Sequence, residues 1–174
     1  MMIGRIVRTA RLVLEPVTWR DMEDMARLKG NAASYGRMLG GVRSRLQAEE
    51  EMAEEITFWA RRGVGIFTIR ENGVFEGMTG VHERPDGRGM ALRFALMPSA
   101  AGRGIGREAA SAALRFVLDQ GIGRVVAVAR EDNLASRIVL GSIGMRLCDT
   151  FERDGYTMLV YEALGAPDRR QRDV

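Results

Sequence analysis

The sequence is poor in residues that usually build metal sites, disulfides and lysine-based phosphate loops. Its 174 residues include one cysteine, Cys148, and one histidine, His82. A single cysteine forms no internal disulfide and fits a reducing cytoplasm. One cysteine and one histidine cannot make a Cys/His zinc site, so no metal is expected. Lysine occurs once, as Lys29. The P-loop, which needs Gly-Lys-Ser/Thr, is therefore excluded at the glycine-rich loop. No apolar run approaches the ~20 residues of a membrane span. The N-terminal MMIGRIVRTARL lacks an apolar h-region, so neither membrane nor secretory signal is expected. Internal repeats and linkers are missing as well.

What remains is an ordinary globular composition, 46% hydrophobic and 28% charged. The length suits one domain with a real core, over residues 1–165. The net charge is +3 although the pI is 9.6. Arginines supply nearly all the positive charge and are scattered among acids. The densest basic run, Arg169, Arg170 and Arg172, also holds Asp168 and Asp173. It reads as a loose tail over 166–174, and no nucleic-acid partner is expected.

Residues 90–119, MALRFALMPSAAGRGIGREAASAALRFVLD, organise the chain. They read as strand, glycine-rich turn and helix. Pro98 brings no N–H to a ladder and stops the strand. Ile105, Ala109, Ala112, Phe116 and Val117 form a helical apolar stripe. Gly102, Gly104 and Gly106 let backbone approach a ligand, and a helix N-terminus suits a phosphate. Arg103 and Arg107 add positive charge there. A tight turn with solvated arginines is the other reading. The dinucleotide fingerprint GxGxxG, read from Gly102, fails at Arg107, which weakens a nucleotide-binding oxidoreductase.

The x-G-R-G-I-G pattern after a proline-ended strand resembles the coenzyme A pyrophosphate loop of GNAT-superfamily N-acetyltransferases. NLASRIVLGSIGMRL, with Asn133, Ser136, Val139, Leu140, Gly144 and Met145, resembles the N-x-x-S helix of that superfamily. Met145 stands where Phe is usual. TARLVLEPVTWRDMEDMARL, from Thr9, resembles the RL-x-LR-P opening of the ribosomal-protein N-terminal acetyltransferase (RimJ/RimL-like) branch. Glu15 replaces the common Arg. The likeness spans about residues 9–164. It implies an α+β, α/β/α-layered fold: a mixed, mostly antiparallel sheet, one splayed parallel pair and about four helices.

The chain in order agrees with that. Residues 11–17 read as a strand. Thr18 and Asp21 sit at capping-box spacing before a helix burying Met22, Met25 and Leu28. Gly30-Asn31 ends it, and residues 31–43 read as loop. Ser44 caps a helix with the apolar line Met52, Ile56 and Trp59. Its glutamates, Glu49, Glu50, Glu51, Glu54 and Glu55, read as a solvated face or as a site for a cationic substrate. Residues 64–97 form an antiparallel meander with a hairpin at Asn72-Gly73. Residues 124–129 are a strand covered on both faces, so residues 90–129 make a right-handed βαβ unit. A helix over 133–143 ends at Gly144. Residues 146–152 and 156–164 form a last hairpin around Asp154-Gly155.

The resemblance implies acetyl-CoA as cosubstrate. It places Leu96, Met97 and Pro98 along the pantetheine arm. Ala101, Gly102, Arg103, Gly104, Ile105, Gly106 and Arg107 go to the pyrophosphate, and Asn133 and Ser136 sit beside the sulfur. The reaction implied is direct attack of a primary amine, on a peptide N-terminus or a small molecule, on the thioester. Ser136 matches the family position that protonates the thiolate, or it orients the cofactor. The base is open. Ala91 stands where many relatives carry glutamate, and Arg93 where glycine is common. Glu83 is a candidate base and His82 a lesser one; alternation puts them on opposite faces. Tyr35, Trp19, Trp59, Tyr156 and Tyr161 are unassigned aromatics. A homodimer is compatible with this reading. The alternative is a non-catalytic acyl-CoA-binding or protein-interaction module on the same fold.

Overall fold

The computed structural model describes residues 3–166; the tail expected over 166–174 lies almost wholly outside them. One eight-stranded sheet runs β1 (Val7–Arg8), β2 (Val13–Pro16), β3 (Ile66–Glu71), β4 (Val74–Glu83), β5 (Met90–Leu96), β6 (Arg124–Arg130), β8 (Tyr156–Leu164), β7 (Arg146–Arg153). Every neighbouring pair is antiparallel except β5 and β6. The final hairpin folds back so that β8, not β7, lies against β6. Asn72 and Gly73 turn with φ of 49° and 77°, Asp154 and Gly155 with 50° and 78°. These positive values explain both hairpins, since Asn, Asp and Gly tolerate them best.

Between β2 and β3 come α1 (Met22–Lys29), α2 (Ala32–Tyr35) and α3 (Arg45–Arg62). The Asp21 carboxylate accepts from Thr18 N–H at 2.8 Å, as the capping spacing predicts. Met22, Met25 and Leu28 are buried. The stretch read as loop holds the single turn of α2. Asn31 starts it by accepting from the N–H groups of Ala33 and Ser34. A four-residue helix carries no periodicity for a sequence reading to detect. Ser44 and Gln47 form a reciprocal capping box at the start of α3.

Two of the five α3 glutamates depart from the solvated-face reading; Glu50 and Glu54 are exposed as expected. Glu55 is buried and Glu51 half-buried, because Lys29 at the end of α1 sits between them. Lys29 is fully buried. Its Nζ lies 2.7 Å from Glu55 Oε1 and 2.8 Å from Glu51 Oε2. Glu51 and Glu55 thus clamp α3 to α1.

After β5 a 3-10 turn over Pro98–Ala100 leads to α4 (Ile105–Asp119), which packs on β4, β5 and β6. Its buried stripe is Ile105, Ala109, Ala110, Ala113, Leu114 and Val117. Ala112 and Phe116, expected in that stripe, are half-buried at its edge. α5 (Leu134–Ser142) follows β6 and is capped by Asn133. Among the described residues no helix is long and apolar enough to cross a membrane.

Candidate active site

The parallel pair is joined at one position, Ala91 opposite Val126. Hydrogen-bond parity decides which main-chain groups face the gap beyond it. Arg84 N–H donates to Gly89 O (2.9 Å) and Met97 N–H to Glu76 O (2.8 Å), extending the β4–β5 ladder at both ends. Backbone groups of alternate residues point to alternate sides of a strand. The odd positions of β5 therefore serve β4, and Phe94 and Leu96 aim their N–H and C=O at β6. On β6, Glu131 N–H donates to Thr157 O, and Gly165 N–H donates to Gly123 O. The odd positions there serve β8, so Val128 aims at β5. Beyond the single bridge the facing groups of Phe94, Leu96 and Val128 have no ladder partner. Buried main-chain groups of this kind need one.

The strand opening leads to the glycine-rich loop. Gly102 and Gly104 have φ of 76° and 77°, which glycine adopts without strain. The chain then turns into α4 with Gly104 as its N-cap. The N–H groups from Gly102 through Arg107 have no acceptor among the described residues; Ala101 N–H is the last one engaged, by Pro98 O. A Cβ at Gly104 would stand 3.1 Å from Arg11 Nη2 and nothing else. This concave run of donors at the positive end of a fifteen-residue helix fits a diphosphate.

The two arginines expected to add charge there behave differently. Arg103 turns its guanidinium to Glu71 and, at 3.5 Å, to Glu76. It offers the site its N–H rather than its charge. Arg107 is exposed and lines a groove between β1 and α4. Sequence reasoning missed Arg11. It donates to Arg103 O and pairs with Glu108 at 3.2 Å, which fixes the loop from outside. Its signal is its place at the head of the RL-x-LR-P-like opening.

A cavity of about 310 Å³ lies where β5 and β6 part, between α5, the segment after α2 and the β7–β8 hairpin. Ala91, Phe94 and Val128 line it, as do Asn133 and Ser136. Asn133 accepts from Ser136 N–H at 3.3 Å as the helix cap. The Ser136 hydroxyl is left without a protein partner among the described residues. Leu96 and Met97 are half-buried and Pro98 exposed, between cavity and loop.

His82 and Glu83 part as alternation requires. His82 lines the cavity opposite Ala91. Glu83 is exposed, bonded to Arg62 at 2.6 Å and outside the lining. Its strand position turns Glu83 away from this cavity. Burial, then Arg93 and Arg84, push the His82 imidazole down to about 3. It is neutral at working pH and a weak base. None of the five aromatics singled out in the sequence lines the cavity; Phe94 and Phe151 do. Trp59 instead packs edge-on to Phe67 in the core, at 4.9 Å between ring centroids.

A profile described as "Acetyltransferase (GNAT) domain" matches residues 11–146. No curated protein matches the sequence. Among solved structures, RimL, a ribosomal L7/L12 alpha-N-protein acetyltransferase in complex with coenzyme A, superposes with a TM-score of 0.80. It shares 20% identity and covers 92% of this chain and 98% of its own. An acetyltransferase from Agrobacterium tumefaciens str. C58 reaches 0.78 at 23% identity, covering 91% and 93%. One from Salmonella typhimurium, which modifies the N-terminal serine of 50S ribosomal subunit protein L7/L12, reaches 0.78 at 19%, covering 91% and 98%. At these identities the likeness speaks for the fold.

Proposed function

The chain belongs to the GNAT acetyltransferase family, and from that premise we propose that it moves the acetyl group of acetyl-CoA onto a primary amine by direct attack on the thioester. Acetyl-CoA-dependent acetylation is the family's activity; the acceptor and the residue roles are our reading. One observation carries it: the strand opening runs straight into a row of unengaged N–H groups, Gly102 to Arg107.

Acetyl-CoA supplies the activated carbonyl and a thiolate leaving group. The chain's own residues do the rest. The loop amides hold the diphosphate, and Arg11 braces the loop. Leu96, Met97, Pro98 and Ala101 border the path of the arm, whose amides match the free groups of Phe94, Leu96 and Val128. A strand N–H facing the cleft, from Phe94 or Val128, stabilises charge on the carbonyl oxygen. As the amine nitrogen bonds the carbonyl carbon, the C–S bond breaks. Ser136 Oγ–H protonates the departing sulfur and recovers its proton from water. Asn133 holds the first turn of α5, and so Ser136, in place.

No side chain at the cavity suits the role of base. Ala91 is inert, Glu83 faces away and His82 is too acidic as an imidazolium. The positive groups that depress His82 act on an ammonium in the same way and favour the neutral amine. Water then takes the proton. The RimL and Salmonella neighbours, which act on a ribosomal protein N-terminus, support a peptide α-amine as one acceptor arm.

Thiol release from acetyl-CoA across an amine panel tests this. Amine-dependent release is expected. Ser136→Ala should lower kcat about a hundredfold with little change in acetyl-CoA affinity. Equal losses in both would demote Ser136 to a cofactor contact, and no release with any amine would end the transferase reading.

A further inference from the structure

The acceptor side of the cavity has an unusual lining. Arginines enter from the α2–α3 segment, from β4–β5 and from the β6 and β7 ends, and among the described residues no aspartate or glutamate lines it. Arg43, Arg84 and Arg130 are each committed to an acid outside the lining: Glu51, Asp86 and Asp132. Arg37 and Arg153 are held more loosely, and Arg93 only shares a carboxylate. Arg37 makes no close ion pair among the described residues, though it lies near enough to Asp132 to help hold that carboxyl below its usual range after Arg130, and Arg153 reaches Asp154 only at 3.9 Å.

Arg93 is the centre. It rises from β5 beside Phe94 and meets Glu55 Oε1 at 3.3 Å, an oxygen already held by Lys29. Its Nε is buried and unpartnered. The charge behind it does not close. Lys29, Arg43 and Arg93 are matched only by Glu51 and Glu55, which leaves one positive charge over. Arg93 is half-buried at the cavity wall, where a positive charge left over attracts an anion that enters. Two further buried polar atoms at the same cavity lack partners, Ser34 Oγ and His82 Nδ1. Buried polar groups are nearly always hydrogen-bonded, so their gathering on one cavity marks a ligand's place.

Building on the transferase reading above, we propose that the acceptor is a primary amine that also carries an anion, a carboxylate or a phosphate, and that Arg93 reads this group with Arg37 at the rim. Arg93 lies one residue from the strand groups that face the thioester, so anion and amine belong to the same small head. The guanidinium is suited to this, offering a planar fork to either anion. Glu55, itself pinned by Lys29, accepts from that fork directly and holds it steady.

The test is a matched amine series with acetyl-CoA, read as thiol release. O-phosphoethanolamine and glutamate carry the anion, and ethanolamine and spermidine lack it. A peptide with an acidic second residue is compared with one bearing lysine there, which separates a small-molecule source from a protein N-terminus. The expected kcat/KM ratio of anionic to neutral amine is about tenfold to a hundredfold, carried by KM. In Arg93→Met the ratio should fall toward one. Arg37→Ala, at an exposed position, should lower it several-fold, which covers the case in which Arg93→Met fails to fold. A wild-type preference for ethanolamine or spermidine overturns the proposal, as does an unchanged ratio in a folded Arg93→Met. Release with no amine at all is a different result: it overturns the transferase reading, and this inference falls with it.

Discussion

His82 shows how one buried side chain ties stability to pH. Its imidazole is held near 3 by burial, with Arg93 and Arg84 adding to the effect; in the unfolded chain it returns to about 6.5. The folded pKa is therefore the lower one. The contribution to stability is complete above pH 6.5 and drains away as pH falls toward 3, because the unfolded state takes up the proton first. Between pH 6 and 5, above the carboxylate range, wild-type stability should fall by about 1 kcal/mol per pH unit more steeply than that of His82→Gln. Urea unfolding at both values measures the difference, and parallel slopes would show that His82 titrates normally. The sequence singles out His82 and sets it opposite in facing to Glu83. It does not say which of the two faces the cavity, because alternation fixes the difference between neighbours and not the absolute side.

The loop and the helix after it are legible in the sequence as a unit. Gly102, Gly104, the proline stop and the apolar stripe are local signals, and the structure turns each into geometry. The hairpins at Asn72-Gly73 and Asp154-Gly155 are legible for the same reason. The order of the last two strands is not, since which of β7 and β8 pairs with β6 depends on non-local packing. Neither is β1, whose two residues are too few to show alternation. Gly104→Asp is the substitution that belongs to this scale. Aspartate tolerates φ near 77° better than most residues, and the atom it would meet is the Arg11 Nη2 that donates to Arg103 O, a cation its carboxylate can pair with. The fold should survive at a cost of about 1 kcal/mol. A carboxylate among donors meant for a diphosphate should lower coenzyme A affinity at least about a hundredfold. Calorimetric titration checks it, and unchanged affinity in a folded variant would detach the loop from the cofactor.

At the scale of the whole molecule, one buried ionic cluster joins α1, α3 and β5 beneath the cavity. Its members are far apart in the chain, and each alone looks like a solvated charge, so the α3 glutamates read as surface in the sequence. Burial opposes the charge on Lys29, yet Glu55, Tyr35 and Glu51 outweigh it and hold the ammonium above its ordinary range. Burial likewise opposes the charge on Glu51, but Lys29 and Arg43 keep that carboxyl below its own. Because positive charge is in surplus, the two ways of breaking the cluster are unequal. Glu55→Gln leaves Lys29, Arg43 and Arg93 facing Glu51 alone and should cost about 3–5 kcal/mol. Lys29→Met leaves Arg43 with Glu51 and Arg93 with Glu55, and should cost distinctly less. Denaturant unfolding of both variants decides it, and the reverse order would remove the surplus.

The central claim is that free main-chain groups, on the loop and on the parted strands, receive one extended cosubstrate. An amide-resolved NMR titration with coenzyme A reads those groups directly. The account predicts the largest shifts at the N–H groups of Gly102 to Arg107, joined by Phe94, Leu96 and Val128, while Ser111, Arg115 and Asp119, further along the β1–α4 groove, stay still. Shifts confined to Ser111, Arg115 and Asp119, with the loop and both strands silent, would contradict it.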